Sequence, residues 1–394
     1  MSLSFSKDKL ASMEKEAKEL LKKAKGLTAP SLLELRFKPD WESAAPLLDR
    51  AALLYKQCGN LVKAIECYER AAHAQERLQS PWHAAKHYEV IAELSRQRGG
   101  ARGADIADDG DDDVTGEGAE EGGEGGGDGK GKKKKKGGGS SGAAAVAKAV
   151  GRAAVAARGD RGGGGGVVGG EGLCDTARYF KMAADQYLEA GKATAAGEVL
   201  ARAARSLEES APGDALRLHF DALDVYESGE REAYATDAFR AAAAFLVKQG
   251  RWEEAVGVLM RFGAVCEKVG IRHSQCKAYL GAVVVWLWAG DAERAWHTFQ
   301  DAMAVEAFAS SEEAFAADAL FEAFRTADVA TITAAVSSRS HFKQLDHQIA
   351  RLATRLPAPH ARLRRMARKL NRLMVDPDPE EEEDGEGGGE EELL

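Results

Sequence analysis

Apolar residues recur along this chain at the three-and-four spacing of an amphipathic helix, and glycine, proline or a polar pair interrupts them about every twenty residues. The pattern opens at 8–25, with Leu10, Met13, Ala17, Leu20, Leu21 and Ala24 on one stripe. Helices are predicted next at 40–57, 60–78 and 81–98, with Gly59 and Ser80-Pro81 as punctuation. Asn60 and Ser80 are the expected N-caps, and Pro81 suits a first helical position, where a missing N–H costs nothing. The pattern lapses at Gly99, resumes at Leu173 and runs to Leu356. Its breaks there fall near Gly191, Ala211-Pro212-Gly213, Gly229, Gly250, Gly270, Gly290 and Ser310-Ser311. A last basic helix is predicted over 341–375, interrupted at Pro357 and Pro359.

Alanines fall in phase with these breaks. Ala44, Ala64 and Ala84 are twenty residues apart, as are Ala195, Ala215, Ala235 and Ala255. Two such steps make one helix-turn-helix unit, and small residues at one phase let successive helices approach closely. The expected fold is an all-α helical solenoid of antiparallel hairpins, an architecture that binds partners along its length.

Between 99 and 172 the helical pattern is gone. This window holds 27 of the 43 glycines, an acidic stretch from Asp105 to Asp128 and the Lys132–Lys136 run. Such a segment buries too little apolar surface to offset its conformational entropy, so it reads as a disordered insertion at a hairpin tip. The domain plan is therefore helical repeats at 1–98, the insertion at 99–172, repeats at 173–310, helices at 311–375 and an acidic tail at 376–394.

Charge and cysteine usage narrow the function. The net charge of −9 resides in the tail, which carries 11 acids and no base; without it the chain has 52 acids against 54 bases. A balanced body does not point to nucleic acid as a partner. Five cysteines, an odd and sparse set, fit free thiols in a reducing compartment, so a cytoplasmic location is expected. Residues 1–25 are charged rather than signal-like, and no run of eighteen apolar residues suggests a membrane span.

No catalytic constellation stands out, and neither an enzyme activity nor a cofactor is expected. Cys266, His273 and Cys276 lack a fourth metal ligand, and His83 and His87, four apart, lack the glutamate and third ligand of a zinc helix. Gly126 to Lys132 imitates a phosphate loop, but Lys133 stands where a Ser or Thr must hold Mg²⁺. Two other features are candidate sites. Leu32, Leu33, Leu35 and Phe37, flanked by Arg36 and Lys38, either close the first hairpin or form an apolar loop suited to shallow insertion into an anionic bilayer. The tail ends on Leu393-Leu394, apolar residues that suit an acidic linear motif docking on a basic partner.

Several phrases resemble the soluble NSF attachment proteins, specifically the gamma type. They are Lys38-Pro39-Asp40-Trp41-Glu42-Ser43-Ala44, Glu66-Cys67-Tyr68-Glu69-Arg70-Ala71-Ala72, His83-Ala84-Ala85-Lys86-His87-Tyr88-Glu89 and Gly250-Arg251-Trp252-Glu253-Glu254-Ala255. The resemblance implies a tetratricopeptide-like, right-handed solenoid capped by a C-terminal helical bundle. It also implies an adaptor that binds syntaxin-type SNARE complexes, recruits and stimulates the ATPase NSF for SNARE disassembly, and touches membrane peripherally. Leu393 then matches the penultimate leucine needed for stimulation, with Leu394 beside it. Leu32, Leu33, Leu35 and Phe37 match the membrane-contacting loop, and Glu322 an NSF-contacting acid. Arg325 departs from the pattern near that acid, and the insertion lies outside it. SNARE-contacting residues are not assigned by the resemblance. The alternative is a general tetratricopeptide scaffold for peptide tails or multisubunit assembly, although no Lys/Arg/Asn cluster of the kind that clamps peptides precedes the final basic helix.

Overall fold

The computed structural model describes residues 7–29, 38–106, 174–229 and 232–375. Among them the chain is entirely helical. The stretch containing Leu32, Leu33, Leu35 and Phe37, residues 107–173 of the insertion, and the tail with Leu393 and Leu394 lie outside the described residues. The described residues divide at Ala235 into two compact units.

The first unit holds α1 (Lys7–Thr28), α2 (Trp41–Gln57), α3 (Leu61–Arg77), α4 (Pro81–Ile106), α5 (Asp175–Glu189), α6 (Ala193–Leu207) and α7 (Pro212–Ser228). Three residues join α2 to α3, α3 to α4 and α5 to α6, too few for anything but a reversal against the preceding helix. Asn60 caps α3 as expected, its Oδ1 accepting the Lys63 N–H at 3.2 Å. Ser80 instead pairs its Oγ with the His83 ring at 2.7 Å, while its carbonyl accepts from the Ala84 N–H.

Alanine sets the spacing of this array. The N–H groups of Ala44, Ala64, Ala84, Ala215 and Ala255 close the first helical turn on the carbonyls of Asp40, Asn60, Ser80, Ala211 and Arg251, and all five alanines are 0% exposed. Ala196 holds this place in α6, bonding back to Lys192, and the predicted Ala195 is only half-buried. Ala235 is buried but precedes its helix. α2 and α3 each have 17 residues and a three-residue link, whereas α6 has 15 and a four-residue link, so a strict period of twenty drifts out of register.

α4 and α5 flank the insertion and run antiparallel. Trp82, near the start of α4, meets Tyr187, near the end of α5, with ring centroids 5.1 Å apart. At the other end Arg98 lies 3.6 Å from Asp175. The chain re-enters beside this contact, at Cys174, and leaves about 12 Å beyond it along α4, at Ile106. α4 itself continues to Ile106, beyond the predicted end at 98, because the good helix formers Ala101, Arg102 and Ala104 are interleaved with the glycines.

The second unit holds α8 (Thr236–Lys248), α9 (Trp252–Val269), α10 (Arg272–Ala289), α11 (Ala292–Met303), α12 (Glu306–Ala309), α13 (Glu312–Arg325), α14 (Val329–Ser337), α15 (His347–Ala353) and α16 (Leu363–Val375). Gly270 and Gly290 end α9 and α10 in the left-handed conformation, with φ of 80° and 83°, which a side chain would resist. The interior of α10 is buried on all sides, from Ala278 to Leu287. Beyond it the helices shorten and phenylalanine replaces alanine as filler: Phe308, Phe321, Phe324 and Phe342 are all 0% exposed.

The single helix predicted at 341–375 is three pieces: a 3-10 turn at Ser340–Gln344, then α15, then α16. Pro357 and Pro359 break it where expected. Leu345, in extended backbone with ψ 164°, makes a further break that the residue pattern does not signal.

Candidate partner-binding surfaces

The base of the apolar loop is described even though its tip is not. The Leu27 carbonyl ending α1 accepts the Asp40 N–H at 3.0 Å, and Asp40 Oδ1 caps α2 through the Ser43 N–H at 3.0 Å. Leu27 and Trp41 pack on a core of Ala24, Ala44, Ala45, Leu48, Ala71 and Ala74. The chain thus leaves and returns at one point. Leu27 and Trp41 close the first hairpin at its base.

Glu322 lies on the exposed side of α13. The opposite side is buried through Ala317, Leu320, Phe321 and Phe324, with Phe321 edge-on to Trp296 at 5.2 Å. Glu322 is not a free acid. Arg325 grips both its oxygens at 2.8 and 3.1 Å and reaches across to Asn371 of α16 at 2.7 Å. Arg325, the departure from the family pattern, thus holds Glu322 and ties α13 to α16. The exposed side also presents Glu312, Asp318 and Phe315, the last 56% exposed. Asp318 and Phe315 escaped the sequence reading. Their signal was helical spacing: 315, 318 and 322 share the stripe left over once the buried alanines and phenylalanines are placed.

A second polar constellation lies in the first unit and was also missed. Glu89 of α4 receives the Tyr187 hydroxyl, Lys86 Nζ at 3.0 Å and the Arg202 guanidinium. Burial by itself would raise the Glu89 pKa, yet the three donors together hold it below the ordinary carboxylate range. Burial and the Glu89 bond push Tyr187 up to about 12. Lys86 also covers the Trp82 and Tyr187 rings at 5.2 and 5.4 Å. Tyr88 bonds Glu76 at 2.8 Å, and Tyr179 bonds Glu69. Glutamates of α3 and α4 thus take hydroxyls from tyrosines of α4 and α5 and the guanidinium of Arg202 from α6, and so fasten these four helices together.

The sulfur and imidazole groups do not gather. Among the described residues no group of three His, Cys, Asp or Glu side chains is arranged to hold a metal ion. Burial pushes the Cys67 and Cys266 thiols up to about 11, far from thiolate reactivity. Cys276 points its Sγ at the Ala307 carbonyl at 3.4 Å, and His273 turns to Glu313 at 3.9 Å. His83 and His87 likewise go separate ways, the first to Ser80 and the second to Asp49 at 3.7 Å. Burial lowers the pKa of His87 and of His219, which faces Glu208 at 3.3 Å. No described helix is long and apolar enough to cross a membrane.

The family model described as Soluble NSF attachment protein, SNAP, matches residues 174–356. Similarity to the gamma-soluble NSF attachment protein of Arabidopsis thaliana extends much further, at 27% identity over 345 residues, covering 88% of this chain and 93% of the relative. The chain is thus similar to soluble NSF attachment proteins along most of its length. A gamma-soluble NSF attachment protein of Dictyostelium discoideum is 26% identical over 170 residues, 43% of this chain and 52% of the relative. The SNAP match begins at Cys174, the N-cap of α5, and stops at Leu356, ahead of α16. It thus reaches into both units but leaves out α1–α4 and the arginine-rich last helix.

Proposed function

We propose that this protein is an adaptor that binds SNARE complexes, recruits the ATPase NSF and stimulates it to disassemble them during vesicle fusion and intracellular transport. The observation that carries this reading is similarity to a gamma attachment protein along nearly the whole chain, including both helical units. The physics agrees. Alanine-spaced hairpins fastened by buried glutamate–tyrosine bonds make a stiff surface, and a stiff surface is what a rod-shaped helical bundle needs to be gripped. Several copies around one rod would add avidity without new contacts.

The finer assignments belong to the same proposal. Leu393, with Leu394, activates the ATPase. Leu32, Leu33, Leu35 and Phe37 touch the bilayer, so the protein works as a peripheral membrane component of the cytoplasm, on syntaxin-type complexes. Closure of the first hairpin at its base by Leu27, Asp40 and Trp41 supports this. Asp318 joins Glu322 as a candidate NSF contact; it lies on the same exposed stripe and, unlike Glu322, has no arginine across it.

The test mixes the protein with NSF, ATP and a preassembled syntaxin-type SNARE complex and follows disassembly. Disassembly that depends on the protein, and is cut at least tenfold by Leu393→Ala without loss of binding, is expected. No ternary complex with any SNARE set would return the protein to the general scaffold reading. Leu32→Ser with Phe37→Ser should weaken activity on liposomes more than in detergent, and equal losses in both would make the loop structural.

A further inference from the structure

The last helix has a face that the fold does not use. α16 buries Met366, Ala367 and Leu370 against the rest of its unit. Its opposite side exposes Arg364, Arg365, Arg368 and Arg372, and Arg362 precedes them, also exposed. Among the described residues none of these five arginines has a carboxylate within ion-pair distance. The neighbouring Lys369 is different, because it reaches Glu293 of α11. Four other arginines of the unit also reach acids: Arg240 faces Asp346, Arg251 faces Glu254, Arg294 faces Glu253 and Asp291, and Arg325 faces Glu322. Arg364, Arg368 and Arg372 stand at successive turns, so their charges form a row about 12 Å long at 1.5 Å per residue. Unscreened like charges along one row repel one another, and an anion laid along it relieves that repulsion.

We infer that the occupant of this arginine row is the chain's own acidic segment, residues 376–392. The segment begins directly after α16 and carries 11 acids and no base, the reverse of the row in sign. Its acids from Asp376 to Glu386 span eleven positions, about 35 Å if extended, enough to turn back and cover the row to Arg362. Tethering settles the competition. A short flexible link gives an effective concentration of about 1 mM, so even a weak contact, with Kd near 0.1 mM, is about 90% closed. An external acidic segment or a lipid headgroup must displace it. The contact is electrostatic and exposed, so it opens as salt shortens the Debye length to about 3 Å near 1 M. The tail is thereby held at one place on the protein, and a partner that offers a stronger basic surface releases it. This inference concerns the arginine row alone and stands whether or not the protein stimulates NSF.

A synthetic peptide of residues 376–394, fluorescently labelled, is the probe, titrated into full-length protein at 50 mM salt. Wild-type protein should bind it weakly, because the row is already covered. A full-length variant with the tail acids 380–384 and 386 changed to their amides should bind it about tenfold more tightly. Adding Arg364→Gln, Arg365→Gln, Arg368→Gln and Arg372→Gln to that variant should abolish binding, as should 500 mM salt. Circular dichroism and thermal melting check that the exposed substitutions leave the helices intact, and replacing only Arg368 and Arg372 gives a milder variant if they do not. Equal binding by wild-type and tail-neutralised protein would overturn the inference and leave the row open to an outside partner. Absence of binding to the tail-neutralised protein would overturn it as well. Wild-type protein that binds phosphatidylserine vesicles through the same arginines as tightly as the tail-neutralised form would assign the row to a lipid surface.

Discussion

The hairpins and the C-terminal bundle solve the same packing problem with opposite side chains. In α2–α7 and α8–α10 the helices meet over alanine and, at two places, over glycine. A Cβ on Gly197 would sit 2.6 Å from the Tyr226 ring, and one on Gly263 would sit 2.2 Å from the Tyr279 ring. In α11–α16 the helices are short, irregularly joined, and held by a knot of Phe299, Phe308, Phe321 and Trp296 with ring centroids 5.2–6.2 Å apart. Close approach gives repetition and stiffness, because each helix is fixed along much of its length. Large rings tolerate irregular connections, because a single side chain fills the gap between three elements. The hairpins therefore fail when bulk is added, and the bundle fails when bulk is removed.

That contrast can be broken from either side. Phe321→Ala should destabilise the protein by about 3–5 kcal/mol, since it empties the centre of the aromatic knot; urea unfolding measures it, and a loss below about 1 kcal/mol would mean the bundle can collapse around the hole. Gly197→Ala and Ala64→Leu should each cost about 1–3 kcal/mol by overpacking, although the first raises helix propensity. Stabilisation by either would show the hairpins to be looser than their fully buried alanines indicate.

Acidification should weaken the hairpins first. Burial holds His87 and His219 neutral, with folded pKa values below the unfolded value of 6.5. The unfolded chain takes up these protons first, so their contribution is complete above that value and is lost as pH falls through the lowered folded values. Urea midpoints between pH 7.5 and 5 should fall, and His87→Gln with His219→Gln should flatten the slope. The smallest effect should come from replacing 107–173 with a short Gly/Ser link. Stability should stay within about 1–2 kcal/mol of the parent, and any change should be a gain, because a shorter loop closes at lower entropic cost.

The hairpins were legible in the sequence because helix breaks and alanine phase repeat there. Even so, a period of twenty placed Ala195 where Ala196 packs, since helix and connection lengths both vary along the array. The bundle was less legible. Pro357 and Pro359 announced one break, but the turn before α15 depends on Phe342 and Leu345 finding the core, which no local signal encodes. Glu322 was visible as an acid with Arg325 three residues on, whereas the tie from Arg325 to Asn371, forty-six residues away, was not. The glutamate–tyrosine bonds were invisible for the same reason: Glu89 and Tyr187 are ninety-eight residues apart.

The meeting of Arg98 and Asp175 has a use of its own. A hairpin clamped by this pair, with α4 running eight residues beyond it to Ile106, is a socket with a stalk on one side. A folded reporter, such as a fluorescent β-can, could be spliced there through short flexible links in place of residues 107–173 without prising α4 from α5. The label would then sit inside the chain, with its first and last residues unmodified.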